Sequence, residues 1–334
     1  MNMKKENKSL YTKAVITIGQ LWENPIIKGI ILLALALFVY FLPKMATLYF
    51  QRIAIMVAFY AIGAYTAVLL TTYRGTNYLV AVILGACLAG AFGALLALST
   101  MRLSGTYVTI VTMAFFYVIS SIILNWDSVT KGSVGVLNIP APNLFGMKLT
   151  MKNGGIFYLI MFYAALTILA TQLIINSKVG RAIKAVRDDE MAAIMMGINN
   201  KKYKIIAYTL AAFFAGLAGT LYGPFMGYIN NATFNYDICI SALVIVILGG
   251  IGTVKGAIIG AIIISPLGEL LRGLTTFMKG LPEWMQISQP EQWRFVIYGM
   301  IMVIMMRFRP QGILGGQSKL PYKMPKGVER KVMK

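Results

Sequence analysis

The sequence predicts an all-α membrane protein, a polytopic bundle of about eight transmembrane helices. Hydrophobic residues make up 58% of the 334 residues, and the mean hydropathy is +0.72. Several apolar runs approach the roughly 20 residues that a helix needs to cross a bilayer. The predicted organisation is a basic cytoplasmic N-terminal segment (1–25), a transmembrane region (26–307) that includes a cytoplasmic loop (177–204), and a basic cytoplasmic tail (308–334).

Apolar runs separated by loops define the predicted spans. They cover 26–42, 53–72, 78–98, 105–124, 156–175, 205–223, a run over 237–271 that glycines interrupt, and 293–306. Small residues recur at every fourth position in or beside the third and sixth runs, at Gly85, Ala89, Gly93, Gly219, Gly223 and Gly227. This spacing lets helix backbones approach closely, so both runs are expected to pack tightly against other helices.

The distribution of charge predicts orientation. The formal net charge of +20 would indicate nucleic acid binding in a soluble protein. Here the bases lie in tails and loops, so membrane orientation and contact with anionic lipid headgroups explain them better than nucleic acid does. The loop 177–204 and the tail are richest in Lys and Arg and are assigned to the cytoplasm. Counting spans back from that loop puts the lysine-rich N-terminus outside, so span count and charge disagree before residue 60.

Several residue types are missing where catalysis or ion coupling needs them. The chain has no histidine, which excludes His-based catalysis and the commonest metal ligand. No metal site, cofactor or enzyme activity is therefore expected. No GxxxxGK[ST] motif occurs, so the chain is not expected to hydrolyse ATP. Asp237 and Glu269 are placed at span ends, so no ion-coupling acid is expected at mid-membrane. Cys87 and Cys239 lie in apolar runs and are expected to be buried.

The longest internal polar segment, 177–204, has its own helical pattern. Its apolar stripe consists of Ala182, Ile183, Val186, Met191, Ile194 and Met195. This stripe predicts one amphipathic helix over 180–196, which Gly197 ends. Alternatively, Asp188 or Asp189 caps a second short helix and breaks the segment in two.

A helix of this kind between two spans either lies on the lipid surface or contacts a soluble partner. Ala192, Ala193 and Gly197 on one side favour the partner, because small residues let another surface approach. A solvated basic loop that only sets topology is an equal alternative.

A second unusual stretch is GGIGTVKGAIIGA, over residues 249–261. Its glycines are Gly249, Gly250, Gly252, Gly256 and Gly260. They predict either a packing face formed by Gly252, Gly256 and Gly260, or a broken helix that exposes backbone polar groups along a translocation path.

Taken together, these motifs resemble a LivM-type permease subunit of branched-chain amino acid ABC importers. The resemblance covers about residues 61–315, most of the chain. It is carried by AIGAYTA (61–67), LSGTYVTIVTMAF (103–115), TKGSVGVLNIP (130–140), GRAIKAVRDDEMAAIMMGIN (180–199), AYTLAAFFAGLAGTLYG (207–223), VILGGIGTVKGAIIGA (246–261) and FRPQGILG (308–315).

The resemblance implies a coupling helix that docks on the ATPase subunits. Its residues here correspond to Gly180, Arg181, Arg187, Asp188, Glu190, Ala192, Ala193 and Gly197. It also implies a second permease subunit of LivH type, two ATPase subunits, an extracytoplasmic substrate-binding protein and surrounding lipid. The implied location is the plasma membrane of a prokaryote, with several membrane passes.

One departure from the family falls before residue 61. The family has a span and a glycine-rich segment there, whereas YFQRIAIMVAFY (49–60) leads directly into AIGAY. We therefore hypothesise that about one span is missing or diverged, at the same place where charge and span count disagree.

The leading functional hypothesis is import of leucine, isoleucine and valine by alternating access, driven by partner ATPases. Permeases for urea or short amides share this subunit type and are the first alternative. An ion-coupled secondary carrier and a regulatory subunit are the others.

Overall fold

The computed structural model describes residues 56–101, 103, 106–144, 147–150, 154–250, 252–278, 293–309 and 312–314. The predicted first span, the N-terminal segment, the suggested gap before residue 56 and residues 315–334 of the tail lie outside these ranges. The helices are α1 (Met56–Tyr73), α2 (Tyr78–Thr100), α3 (Thr106–Asn125), α4 (Asp127–Thr130), α5 (Gly155–Asn176), α6 (Lys178–Asp188), α7 (Glu190–Met195), α8 (Asn200–Met226), α9 (Tyr236–Gly249), α10 (Val254–Met278) and α11 (Trp293–Phe308).

The architecture confirms the predicted polytopic helical bundle. Among the described helices, five are long and apolar enough to cross a membrane: Met56–Tyr73, Tyr78–Thr100, Gly155–Asn176, Asn200–Met226 and the stretch Asn231–Gly249. Ile110–Asn125 and Val254–Leu267 are shorter apolar helices. The β-structure described is one two-stranded antiparallel hairpin between Asn143–Leu144 and Met147–Lys148, and an isolated bridge from Val136 to Ile229.

Close contact among α1, α2 and α8 forms the centre of the bundle. A Cβ atom built on Gly216 would overlap Ala89 of α2, and one built on Gly219 would overlap the Tyr60 carbonyl of α1. The predicted small-residue spacing therefore does bring these backbones together. Gly227 is different: it follows the end of α8 with φ +71 and has no neighbour within 4 Å of its built Cβ. It ends a helix and does not pack.

The predicted single span over 237–271 is wrong, because two antiparallel helices occupy this region. Built Cβ atoms on Gly249 and Gly256 would each overlap the other residue's carbonyl, and one on Gly260 would overlap the Ile245 carbonyl. The residue numbers of the two pairs, Gly249 with Gly256 and Ile245 with Gly260, add up to the same total, as they do where two helices run antiparallel. Gly250 (φ +122) and Gly252 (φ +86) form the turn, where an L-side chain would be strained. We call α9, this turn and α10 the glycine hairpin.

The beginning of the tail is fastened to this hairpin. The Ile313 and Leu314 amides donate to the carbonyls of Leu248 (2.9 Å) and Gly249 (3.0 Å) at the end of α9. A Cβ on Gly312 would overlap the backbone of Gly250. Residues 312–314, which we call the strap, therefore satisfy carbonyls that the end of α9 leaves free.

The described helices alternate in direction. The beginning of α1, the end of α2, and the beginnings of α3 and α8 all line one cavity together with α6. We call this the loop end of the bundle. The strap joins the end of α11 to the end of α9, and Gly252 lies near Arg187, so the turn of the glycine hairpin is also at the loop end. Residues 237–271 cross the bundle twice and not once, so the chain that follows emerges at the opposite end from the one expected. The loop 177–199 and the strap therefore lie at the same end.

Cys87 corrects a second expectation. Its side chain is exposed on α2, whereas Cys239 is buried as predicted. The apolar surroundings of Cys87 in the sequence are those of a membrane helix, in which apolar residues also face outward toward lipid.

Candidate functional site

The segment 177–199 leaves α5 through a tight turn. The Ser177 hydroxyl oxygen accepts from the Gly180 amide (3.2 Å) and donates to the Ile174 carbonyl (2.7 Å). A Cβ on Gly180 would overlap the carbonyls of Ile174 and Ile175. Gly180 is therefore needed to fold α6 back against the end of α5, and it is buried.

The predicted continuous helix over 180–196 is wrong, and the alternative break at Asp189 is confirmed. Asp189 is extended (φ −152, ψ 113), and its carboxylate accepts from the amides of Met191 and Ala192, both at 2.9 Å. These two bonds satisfy amides that begin α7, which is the usual role of an N-cap aspartate. α6 and α7 are thus separate helices with different axes.

Gly197 ends α7 as predicted. Its φ is +79, its amide donates to the Ile194 carbonyl, and the Ile198 amide donates to the Ala193 carbonyl. This pair of bonds is a Schellman motif, in which glycine is strongly preferred.

The break at Asp189 also changes which side chains face outward. Val186 and Ala193 are buried against the bundle, whereas Ala192 is exposed. The expectation that Ala192 and Ala193 lie on one side is therefore wrong. The exposed apolar residues are Met191, Ile194, Met195 and Met196, of which the last two are 80% and 82% exposed. We call this group the methionine face.

Glu190 ties α7 to the beginning of α8. Its carboxylate accepts from the Lys204 ammonium at 2.7 and 2.8 Å and from the Asn200 side-chain amide. The hydrogen bonds from Lys204 are the main reason why the pKa of Glu190 lies below its usual value, with a smaller contribution from Asn200. The carboxylate therefore keeps its charge to a lower pH than an ordinary glutamate does. The sequence pattern did not single out Lys204 as the partner of Glu190.

Three charged side chains of α6 make local contacts. Arg187 pairs with Asp188 at 2.7 Å, with both side chains more than half exposed, and Arg181 donates to the Asn176 carbonyl at 2.9 Å. Arg187 also lies next to the glycine hairpin, because a Cβ built on Gly252 would be 3.3 Å from its Nη1 atom. The structure thus brings the two predicted site clusters together through Arg187 and Gly252.

The glycines of the second cluster divide into two groups. Gly249, Gly256 and Gly260 pack α9 on α10, whereas Gly250 and Gly252 form the turn. The predicted packing face therefore contains Gly249 in place of Gly252. Carbonyls at the end of α9 accept hydrogen bonds from the strap, an interaction that the FRPQGILG sequence gave no sign of. Within the described ranges, no group of three or more His, Cys, Asp or Glu side chains could hold a metal ion.

Asp189→Ala is expected to loosen α7 without disturbing the bundle. Loss of an N-cap carboxylate costs about 1 kcal/mol, which is roughly a fivefold increase in local opening. Hydrogen exchange of the 190–198 amides measures this. Asp188→Ala is the matched control, because its exposed ion pair with Arg187 contributes little. Equal exchange in the two variants would contradict the capping role.

A family model described as the permease component of branched-chain amino acid transport systems matches residues 53–306. The high-affinity branched-chain amino acid transport system permease protein LivM of Escherichia coli K12 is 31% identical over 278 residues, which are 77% of this chain and 62% of that protein.

Two further relatives are more distant. The probable branched-chain amino acid transport permease protein LivM of Methanocaldococcus jannaschii is 23% identical, over 71% of this chain and 68% of that protein. The permease protein LivH of Escherichia coli K12 is 26% identical, over 57% of this chain and 59% of that protein. The chain thus spans about 62% of the length of the bacterial LivM proteins that it matches. No solved structure matches.

Proposed function

This chain belongs to the family of permease components of branched-chain amino acid transport systems, and from that premise we propose that it is a membrane-spanning permease subunit of an ATP-binding cassette importer. Its solutes are leucine, isoleucine and valine, and its energy comes from partner ATPase subunits. The chain is a multi-pass membrane protein and lies in the plasma membrane of a prokaryote.

The observation that carries the proposal is the methionine face on α7. Four neighbouring apolar side chains are rarely exposed on a water-facing protein surface unless a partner covers them. Methionine suits such a surface because its flexible thioether adapts to a partner's shape. α7 is held outside the bundle by the Asp189 cap and the Glu190–Lys204 pair, so the face points away from the membrane helices. We assign it to docking with the ATPase subunits.

Contacts beside the methionine face connect α6 and α7 to the membrane helices, so a movement of α6 and α7 can be passed on to those helices. ATP-driven closure of the ATPases moves α6 and α7 together, and Arg187 passes the movement to the turn at Gly252. The glycine hairpin follows, and the strap carries α11 with it. Alternating access then results from rearrangement of α8, α9 and α10 around a path shared with the second permease subunit.

The remaining partners follow from the membrane-facing surfaces. α5 exposes apolar side chains along most of its length, including Phe162 and Leu169 at 63% each. Lipid and a second permease subunit of LivH type are its proposed neighbours. An extracytoplasmic binding protein delivers the solute at the end opposite the loop end. The excess of Lys and Arg in the loop and in the tail supports a cytoplasmic loop end.

The position of Asp237 disfavours an ion-coupled carrier, whereas Glu269, which was expected at a span end, lies inside α10. Asp237 is in the first turn of α9 and pairs with Arg294 of α11 at 3.4 Å. It therefore lies at a helix start, unlike the mid-membrane acids of ion-coupled carriers. Permeases for urea or short amides share the same architecture and are distinguished by solute.

Uptake by reconstituted vesicles tests the function. The chain, a LivH-type subunit, two ATPases and a binding protein are co-reconstituted, and uptake of labelled leucine, valine and urea is measured. We expect ATP-dependent uptake of leucine and valine that is lost when this chain is left out. Urea uptake alone would support the amide alternative. Uptake driven by an ion gradient without ATP would contradict the proposal.

A further inference from the structure

A cavity of 690 Å³ lies at the loop end, between α6 and the main bundle. This volume is within the range of about 300–1,000 Å³ that is typical of small-molecule sites. We call it the inner cavity. Described residues of α1, α2, α3, α6, α7 and α8 line it.

The walls of the inner cavity differ in polarity. Side chains from the bundle provide an apolar wall, which includes Phe59, Ala97, Val108, Ala207 and Ala211. Arg187, Glu190 and Lys204 line the inner cavity as well, and Lys204 lies one helical turn from Ala207 on α8. A ligand that fits this cavity therefore needs an apolar body of modest size and a charged end.

The charged side offers both signs at short range. The Lys204 ammonium and the Glu190 carboxylate are 2.7 Å apart, with their side chains 34% and 49% exposed, so both remain reachable. Arg187, which is paired with Asp188, lines the same cavity. A carboxylate is recognised by Lys204 and Arg187, and an ammonium group by Glu190. A zwitterion complements both members of the Glu190–Lys204 pair, whereas a simple anion or a simple cation complements one of them.

We propose that the inner cavity binds a free amino acid with a branched apolar side chain, which enters from the cytoplasmic side. This inference rests on the proposed function, since it assigns the cytoplasmic solute to a site within this one subunit. The zwitterionic end engages Lys204, Arg187 and Glu190, and the side chain lies against Phe59 and the alanines of α8.

Binding there regulates transport. The Glu190–Lys204 pair ties α7 to α8, and a bound zwitterion competes for both of its charges. α7 then shifts, and the methionine face loses the position in which it docks. Because binding and docking are linked through one element, accumulated solute weakens ATPase docking and docked ATPase weakens solute binding. Import thereby slows as its product accumulates.

Photolabelling of the assembled transporter tests the site directly. A diazirine analogue of leucine is sealed inside vesicles that contain the complete transporter, irradiated, and its adducts are mapped by mass spectrometry. We expect adducts on α8 peptides that contain Tyr203 to Ala211. Internal leucine should suppress them, whereas N-acetylleucine, which lacks the ammonium group, and leucinamide, which lacks the carboxylate, should not. Labelling of the inner cavity by a diazirine phospholipid in place of the leucine analogue overturns the proposal.

Two variants connect the site to regulation. Ala207→Phe fills the inner cavity, and the matched control Ala91→Phe adds the same ring to the exposed surface of α2. We expect internal leucine to slow uptake in wild type and in Ala91→Phe. In Ala207→Phe the slowing and the adducts should fall by at least about tenfold, a loss of about 1.4 kcal/mol of binding. Unchanged slowing in Ala207→Phe overturns the regulatory role.

Failure of this inference is distinguishable from failure of the proposed function. If vesicles take up leucine but no adduct maps to the inner cavity, the site is refuted and the transport function stands. If uptake does not depend on this chain, the transport function itself is refuted. Should Ala207→Phe fail to assemble, the adduct map of the wild-type transporter decides alone.

Discussion

Gly256→Val is expected to remove the folded protein from the membrane, which is the largest effect that we predict. A side chain at this position collides with the Gly249 carbonyl across the glycine hairpin. Overpacking costs about 1–3 kcal/mol where side chains can yield, and the cost is higher here because the obstacle is backbone. Full-length protein in membranes and its thermal unfolding in detergent measure the effect.

Gly299→Val is the matched control for this substitution. Gly299 is also inside a helix, α11, but no atom lies within 4 Å of its built Cβ. It is expected to reach the membrane in wild-type amounts. If Gly256→Val accumulates and unfolds like Gly299→Val, α9 and α10 do not pack as described.

Glu190→Lys combined with Gly197→Asp is expected to abolish ATPase binding while leaving the bundle folded. The first change replaces the Glu190–Lys204 pair with two like charges, so α7 loses its tether. The second adds a charge at a helix end next to the methionine face, where φ is +79. We expect the ATPase recovered with the chain to fall at least about tenfold, a loss of about 1.4 kcal/mol or more.

Gly227→Asp controls for the cost of aspartate at such a position. Gly227 also follows a helix end, has φ +71 and has no atom within 4 Å of its built Cβ, but it lies at the opposite end of α8. It should co-purify with the ATPases as wild type does. Loss of the ATPases in Gly227→Asp as well would attribute the effect to general instability.

Apolar run length was enough to predict the class and most helices, because crossing a bilayer demands long apolar segments. It failed at the glycine hairpin. A four-residue glycine turn resembles an interruption of one helix, although 35 residues are far more than one span requires. The length of the run 237–271 therefore already indicated two helices.

The segment 177–199 shows a different limit. The sequence was compatible with one helix over 180–196 and with two helices divided at Asp189. The hydrogen bonds that the Asp189 carboxylate accepts decide in favour of two helices. The methionine face could not be predicted, since its orientation depends on that break. The Glu190–Lys204 pair, the Arg187–Gly252 contact and the strap join residues far apart in sequence, so periodicity carries no information about them.

Cross-linking from the methionine face tests most directly whether this segment docks the ATPases. Met196→Cys is made in a chain that carries Cys87→Ala and Cys239→Ala, and a short thiol cross-linker is applied to membranes that contain the whole transporter. Met226→Cys is the control, because it is also exposed but lies at the far end of α8. We predict an ATPase adduct from position 196 and none from position 226. With the ATPases present, the absence of an adduct from position 196, or equal adducts from both positions, would contradict docking at α7.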